Sequence, residues 1–388
     1  MKRFLYTFLT LFLGFLFLLP FKSFAIENPV SIPNNKIGVH ILFPSELNDA
    51  ANLINSSGGD WGYVTIPIQA GDKDIEKWQK FMDDAKRLHI IPIIRLATEG
   101  DYFNTTAWRK PTDEDVLDFA NFLNSLSWPV KNRYIVVFNE VNRSDEWGGD
   151  LDPGEYANLL SYAVTTFKSV NNDFFIISGG LDNAAPNFAG KYMDEYDYMV
   201  AMNQAVPGIF SLVDGLGSHS YPNPGFSQMP YILTSQSIDS FNFERDLAYR
   251  LSNKNLPIFI TETGWSEDVL SQDQIADYFK YAFSYVWSDN DVVAVTTFLL
   301  QGGQQSPFTK FSLTNADGSG NAIFKALQEI SKIKGKPTIN PGVTVAMEAT
   351  PTNLPAKIFT ATAQPKTSPV PDTSTIEKFF KWLFMLSN

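Results

Sequence analysis

The 388-residue chain has no cysteine and only three histidines. That excludes a disulfide framework, a thiol nucleophile and a Cys/His metal cluster. A fold without cross-links must rest on its own core, and a chain of this length has room for one. Basic residues are scarce as well, 30 Lys and Arg against 42 Asp and Glu. The resulting net charge of −12 argues against nucleic acid as a partner. There is no HExxH pair and no P-loop. No glycine-rich turn follows the first strand pattern, where "HILFPSELNDA" stands, so neither a metal nor another cofactor is expected. One long apolar run exists, residues 4–19, after Lys2 and Arg3 and before the small residues of "SFA". It reads as a secretory signal over residues 1–25, and an uncleaved membrane anchor is the alternative. The expected location is outside the cytoplasm.

Aromatic residues are abundant: 32 Phe, 15 Tyr and 8 Trp. Most Phe are expected in a core, whereas Tyr and Trp in polar loops suit stacking on a ligand. Eight short apolar runs recur between residues 36 and 300: "KIGVHILF", "WGYVTIPI", "IIPIIRLA", "YIVVFNE", "FFIISGG", "VDGLGSHSY", "PIFITETGW" and "VVAVTTFLL". Continuous apolar strands fit a parallel sheet covered by helices. Amphipathic segments with capping patterns lie between them, led by Thr112, Asp152–Pro153 and Ser271. The pattern predicts a (β/α)8 TIM barrel over residues 26–334, with an open doubly wound sheet as runner-up. Residues 335–374 hold eight Thr and seven Pro and read as a linker. Residues 375–388 place Ile376, Phe379, Phe380, Leu383 and Phe384 on one face of a short amphipathic helix. Such a helix suits contact with a membrane surface or cell wall.

Functional groups of such a barrel lie at the C-terminal strand ends. Those ends carry His40, Arg95, Asn139, Glu140, His219, Tyr221, Glu262 and Trp265. Two carboxylates across a barrel mouth suit cleavage of a glycosidic bond, one giving a proton and the other remaining ionised. Glu140, as a general acid, is expected to hold its proton near working pH. Glu262 is expected to stay charged through donors such as Tyr221 and Arg95. Asn139 can donate to a sugar hydroxyl, and Trp265, Trp147, Trp108 and Tyr102 offer flat faces for sugar rings.

"VVFNEVN" at the fourth strand and "IFITETGW" at the seventh resemble the acid/base and nucleophile motifs of glycoside hydrolase clan A. "FSLVDGLGSHSYPNP" resembles that clan's sixth-strand segment, and the match spans about residues 36–333 in register. The resemblance implies Glu140 as acid/base, Glu262 as nucleophile, and Asn139, His219 and Tyr221 as their supports. It implies a retaining hydrolase of β-linked oligo- or polysaccharide that needs no metal. Three departures leave the sugar open. Val141 stands where many members carry Pro. "ETGW" resembles a β-1,3-glucanase family, while the sixth-strand segment is closer to β-xylosidase and cellulase-like members. The eighth strand lacks the frequent Trp, with Phe298 or Gln301 as substitutes. A non-catalytic glycan-binding barrel is the competing class, although it would usually lose one glutamate.

Overall fold

The computed structural model describes residues 26–99, 108–303 and 308–340. The expected signal, the end of the linker, the C-terminal helix and Tyr102 lie outside the described residues. Eight parallel strands follow in chain order: β1 (Ile37–His40), β2 (Gly62–Gln69), β3 (Ile90–Ala97), β4 (Arg133–Val137), β5 (Phe174–Ser178), β6 (Leu216–Ser218), β7 (Ile258–Thr263) and β8 (Val292–Thr297). Pairing runs β5-β4-β3-β2-β1-β8-β7-β6, so β1 meets both β2 and β8. The ring closes between β5 and β6 through two isolated parallel bridges, Ile177 with Gly215 and Asp182 with His219. The (β/α)8 barrel expected from the apolar runs is therefore the observed fold.

Alternation sorts the strand residues. Tyr63, Ile91, Ile93, Tyr134, Val136, Phe175, Ile177 and Phe259 fill the barrel interior. Val64, Ile90, Ile94, Ile135, Val137, Ile176, Ile258 and Ile260 pack outward against the helices. The capping patterns hold: Thr112 accepts from the Asp115 N–H, Asp152 from Gly154 and Glu155, and Ser271 from Gln274. The seven described tryptophans are all buried, at most 8% exposed. Residues 335–340, placed in the linker by composition, lie on the underside of the barrel. Gly335 N–H donates to Asp60, Lys131 N–H to Thr338, and the Asn340 amide to Trp128 and Val130.

β6 is three residues long and is held from behind by polar groups. The Glu244 carboxylate, on helix Ser240–Ser252, accepts from Ser218 and Ser240 Oγ, each at 2.9 Å. Burial pushes this carboxyl up to about 7. Glu46 is buried too, accepts from the Leu42 and Phe43 N–H groups, and is likewise pushed up by burial to about 7. Glu195 is buried with neither oxygen bonded, and burial followed by the Glu244 charge raises it well above the usual range. A carboxyl whose folded pKa is raised contributes its stability fully below the unfolded value and loses it as pH rises through the folded value. The melting temperature is therefore expected to fall between about pH 5 and pH 8. Glu244→Gln should flatten that slope in a thermal melt series, and an unchanged slope would show that the carboxyl is not titrating.

Candidate active site

Both nominated glutamates reach the barrel mouth, and neither gets there by plain strand alternation. Ile258 and Ile260 face the helices, which would send Glu262 outward too. A register shift between Ile260 and Thr263 turns it inward, the usual effect of a bulge. After β4, Phe138 (φ 65°) and Glu140 (φ 38°) take left-handed backbone conformations that non-glycine residues seldom adopt. The turn is fixed by Glu140 N–H on Gly180 O and Arg143 N–H on Glu140 O, each 2.9 Å. Backbone held this way against its local preference is common at functional sites.

His219 stands between the carboxylates. Its Nδ1 donates to Glu140 Oε1 at 2.9 Å and lies 3.9 Å from Glu262 Oε2. One donor atom from each of Glu140, His219 and Glu262 falls within 4.8 Å of the others. Tyr221 Oη donates to Glu262 Oε2 at 3.1 Å. His40 Nε2 and Arg95 Nη1 approach Glu262 Oε1 at 3.5 and 3.7 Å. Asn139 is half-buried beside Glu140, and its Oδ1 has no protein partner. Seven nominated residues thus converge: His40, Arg95, Asn139, Glu140, His219, Tyr221 and Glu262.

The charges differ from expectation. Burial pushes the Glu140 carboxyl up, but the His219 hydrogen bond and charge, with Arg143 and Arg95, outweigh it and hold it below its usual value. For Glu262 burial wins over His219, Arg95 and the Tyr221 hydrogen bond, and Glu140 adds repulsion, so this carboxyl sits above the usual range. The two titrate as a pair, and the free protein favours the proton on Glu262, the reverse of the expected order. His219 is raised: burial lowers it, and the Glu262 charge and the Glu140 hydrogen bond overcome that. His40, fully buried with both ring nitrogens unbonded, is pushed well below its usual range by burial, Arg95 and His219, and is neutral.

Two of the tryptophans nominated for stacking, Trp147 and Trp265, pack into the core. Trp147 is 1% exposed, edge-on to Tyr156, with Nε1 donating to Glu155. Trp265 is 2% exposed against Phe279, and its Nε1 bonds Gln228 O. Both are core residues, which corrects their assignment to substrate. Trp108 is buried as well. Phe298, on the eighth-strand end, packs with Tyr221, Phe308 and Phe311 and lies edge-on to His40 at 5.3 Å. Gln301 is half-buried, and its backbone contact is with Glu46.

Three charged groups were not foreseen. Arg143 reaches Glu140, Asp182 holds Arg143, and Glu146 stands near Glu140 with its carboxyl raised to about 8 by burial, Asp145 and Glu140. Strand-end counting misses Arg143 because it follows a turn rather than a strand. Gly180 also matters: a Cβ there would lie 2.2 Å from His219 Cδ2. Gly180→Ala is expected to displace the imidazole and cost about a hundredfold in turnover, the scale of a 1 Å misplacement. Kinetics beside a thermal melt test this, and full activity would show that the ring is free to move.

A search of solved structures returns glycoside hydrolases of the same architecture. A family 39 enzyme from the gut symbiont Bacteroides cellulosilyticus WH2 is 19% identical with TM-score 0.56, covering 79% of this chain and 65% of that one. A family 39 β-xylosidase from Caulobacter crescentus is 16% identical with TM-score 0.53, covering 76% and 71%. A GH5_18 protein from Bifidobacterium longum subsp. infantis is 12% identical with TM-score 0.53, covering 77% and 79%. The chain spans just under two thirds of the first of these. No family model and no curated protein matches the chain. At these identities the likeness shows the shared barrel fold.

Proposed function

We propose that the protein is an exported retaining glycoside hydrolase that cleaves β-linked glycan by double displacement. The observation that carries this reading is the closeness of Glu140 and Glu262, whose nearest relevant oxygens lie within 4.8 Å with His219 between them. Retaining glycosidases hold their carboxyl groups about 5–5.5 Å apart, and inverting ones need roughly 6.5–9.5 Å to admit a water. Glu140 gives its proton to the glycosidic oxygen as that bond breaks, and Glu262 bonds to the anomeric carbon. A water then loses its proton to Glu140 and attacks the same carbon, freeing Glu262. Before the first step the shared proton must pass from its resting preference on Glu262 to Glu140. His219 and Tyr221 orient the carboxylates, and the unbonded Asn139 Oδ1 suits a substrate hydroxyl. The N-terminal signal pattern supports export, and the "ETGW" and sixth-strand segments support a β-glucan or β-xylan substrate.

The test is a panel of β-glucans, xylans, mannans and galactans, with NMR of the first product formed. The β anomer is expected. A first product in the α configuration would rule out double displacement, and silence on the whole panel would favour glycan binding without turnover.

A further inference from the structure

We propose that Arg143 is a positioning residue, a guanidinium clamped by two aspartates and held against the acid/base Glu140. The inference rests on the role of Glu140 given above. Arg143 Nη1 lies 3.8 Å from Glu140 Oε2, on the side of the carboxylate away from His219. That is too long for a hydrogen bond and close enough for a strong field. The guanidinium is not free to swing onto Glu140. Its Nε and Nη2 donate to the two oxygens of Asp145 at 3.2 and 2.8 Å, and Nη1 donates to Asp182 at 3.2 Å. The Tyr192 ring lies 5.7 Å from its Cζ.

The clamp is itself fixed. Asn142 is fully buried, and its Oδ1 accepts from the Asp182 N–H at 2.9 Å. Its Nδ2 donates to Asp182 O and Met193 O, each at 3.0 Å. The "EVNR" turn is thereby locked to the loop after β5, and Arg143 is placed by two segments at once. A surface ion pair needs no such frame, and contributes little.

The frame suits a carboxyl that must lose a proton and regain it. As Glu140 gives its proton away, a charge already in place stabilises the anion without reorganisation. Six charged groups face Glu140: His219, Arg143 and Arg95 favour the anion, while Glu262, Glu146 and Asp182 oppose it. Of the three cations, His219 is lost as pH rises, whereas the two guanidinium groups stay charged throughout. Arg143 is thus a constant bias, with His219 the variable one.

The test is titration of the Glu140 carboxyl by carbon-13 NMR in the full chain, assigned by the signal missing from Glu140→Gln. Arg143→Gln is expected to raise the midpoint by about one unit or more, the effect of removing an opposite charge at this range. Arg143→Lys should restore most of the shift, and the alkaline limb of kcat/KM should move upward with the midpoint. Arg143→Gln combined with Asp145→Asn avoids stranding one carboxylate and should shift it in the same direction. An unmoved midpoint in both folded variants overturns the inference. The titration needs no substrate, so a protein inert on every glycan would refute the proposed activity while leaving the role of Arg143 to be decided on its own signal.

Discussion

Glu262→Ala is expected to reduce turnover on the order of a millionfold, the scale seen when a covalent nucleophile is removed from an enzyme. The side chain reaches the mouth only through the shift in β7 and is held there by Tyr221, with His40 and Arg95 close by. Among the described residues, no other carboxylate lies within ion-pair distance of His40 or Arg95. Removing it leaves a space beneath the anomeric carbon, with Glu140 still in place to protonate the leaving oxygen. Azide added to this variant, with an aryl β-glycoside as substrate, should enter that space and form the α-glycosyl azide. Product configuration by proton NMR decides the matter. A β-glycosyl azide would place the attacking carboxylate elsewhere.

The second large effect is Glu140→Gln, expected to cost 10²- to 10⁴-fold on substrates with poor leaving groups, the usual contribution of general acid catalysis. Aryl glycosides with acidic phenols leave without help, so their glycosylation step should be almost unaffected. The amide keeps an oxygen for the His219 Nδ1–H, so the surrounding frame is preserved. The alkaline limb of the pH profile should flatten, because the carboxyl that must carry the pair's proton for turnover is gone. With Glu140→Ala, azide should enter from the opposite face during the second step and yield the β-glycosyl azide. Opposite azide anomers from the two variants would assign both roles in one pair of experiments. Equal losses across all leaving groups would remove Glu140 from the acid role.

Much of this was legible because it depends on residue type. Eight apolar runs are buried on both faces, so their composition announces a parallel barrel whatever the exact register. Asn139–Glu140 and Glu262 stand out because a carboxylate after an apolar strand needs a reason. Orientation was not legible. The left-handed backbone at Phe138 and Glu140 and the irregularity before Thr263 are set by contacts with neighbouring strands. Trp147 stands in a polar loop and Trp265 at a strand end, yet packing against Tyr156 and Phe279 takes both rings inward. The charge order of the glutamates failed for a related reason. It hinges on which carboxylate receives the His219 hydrogen, and on an arginine three residues further along that has meaning only once the turn is folded.

The burial of the tryptophans has an optical consequence. Seven indoles sit at 8% exposure or less, spread from Trp61 to Trp287 through the scaffold. Their emission reports on whether the barrel is intact. The emission of these seven indoles therefore serves as a gauge of folding.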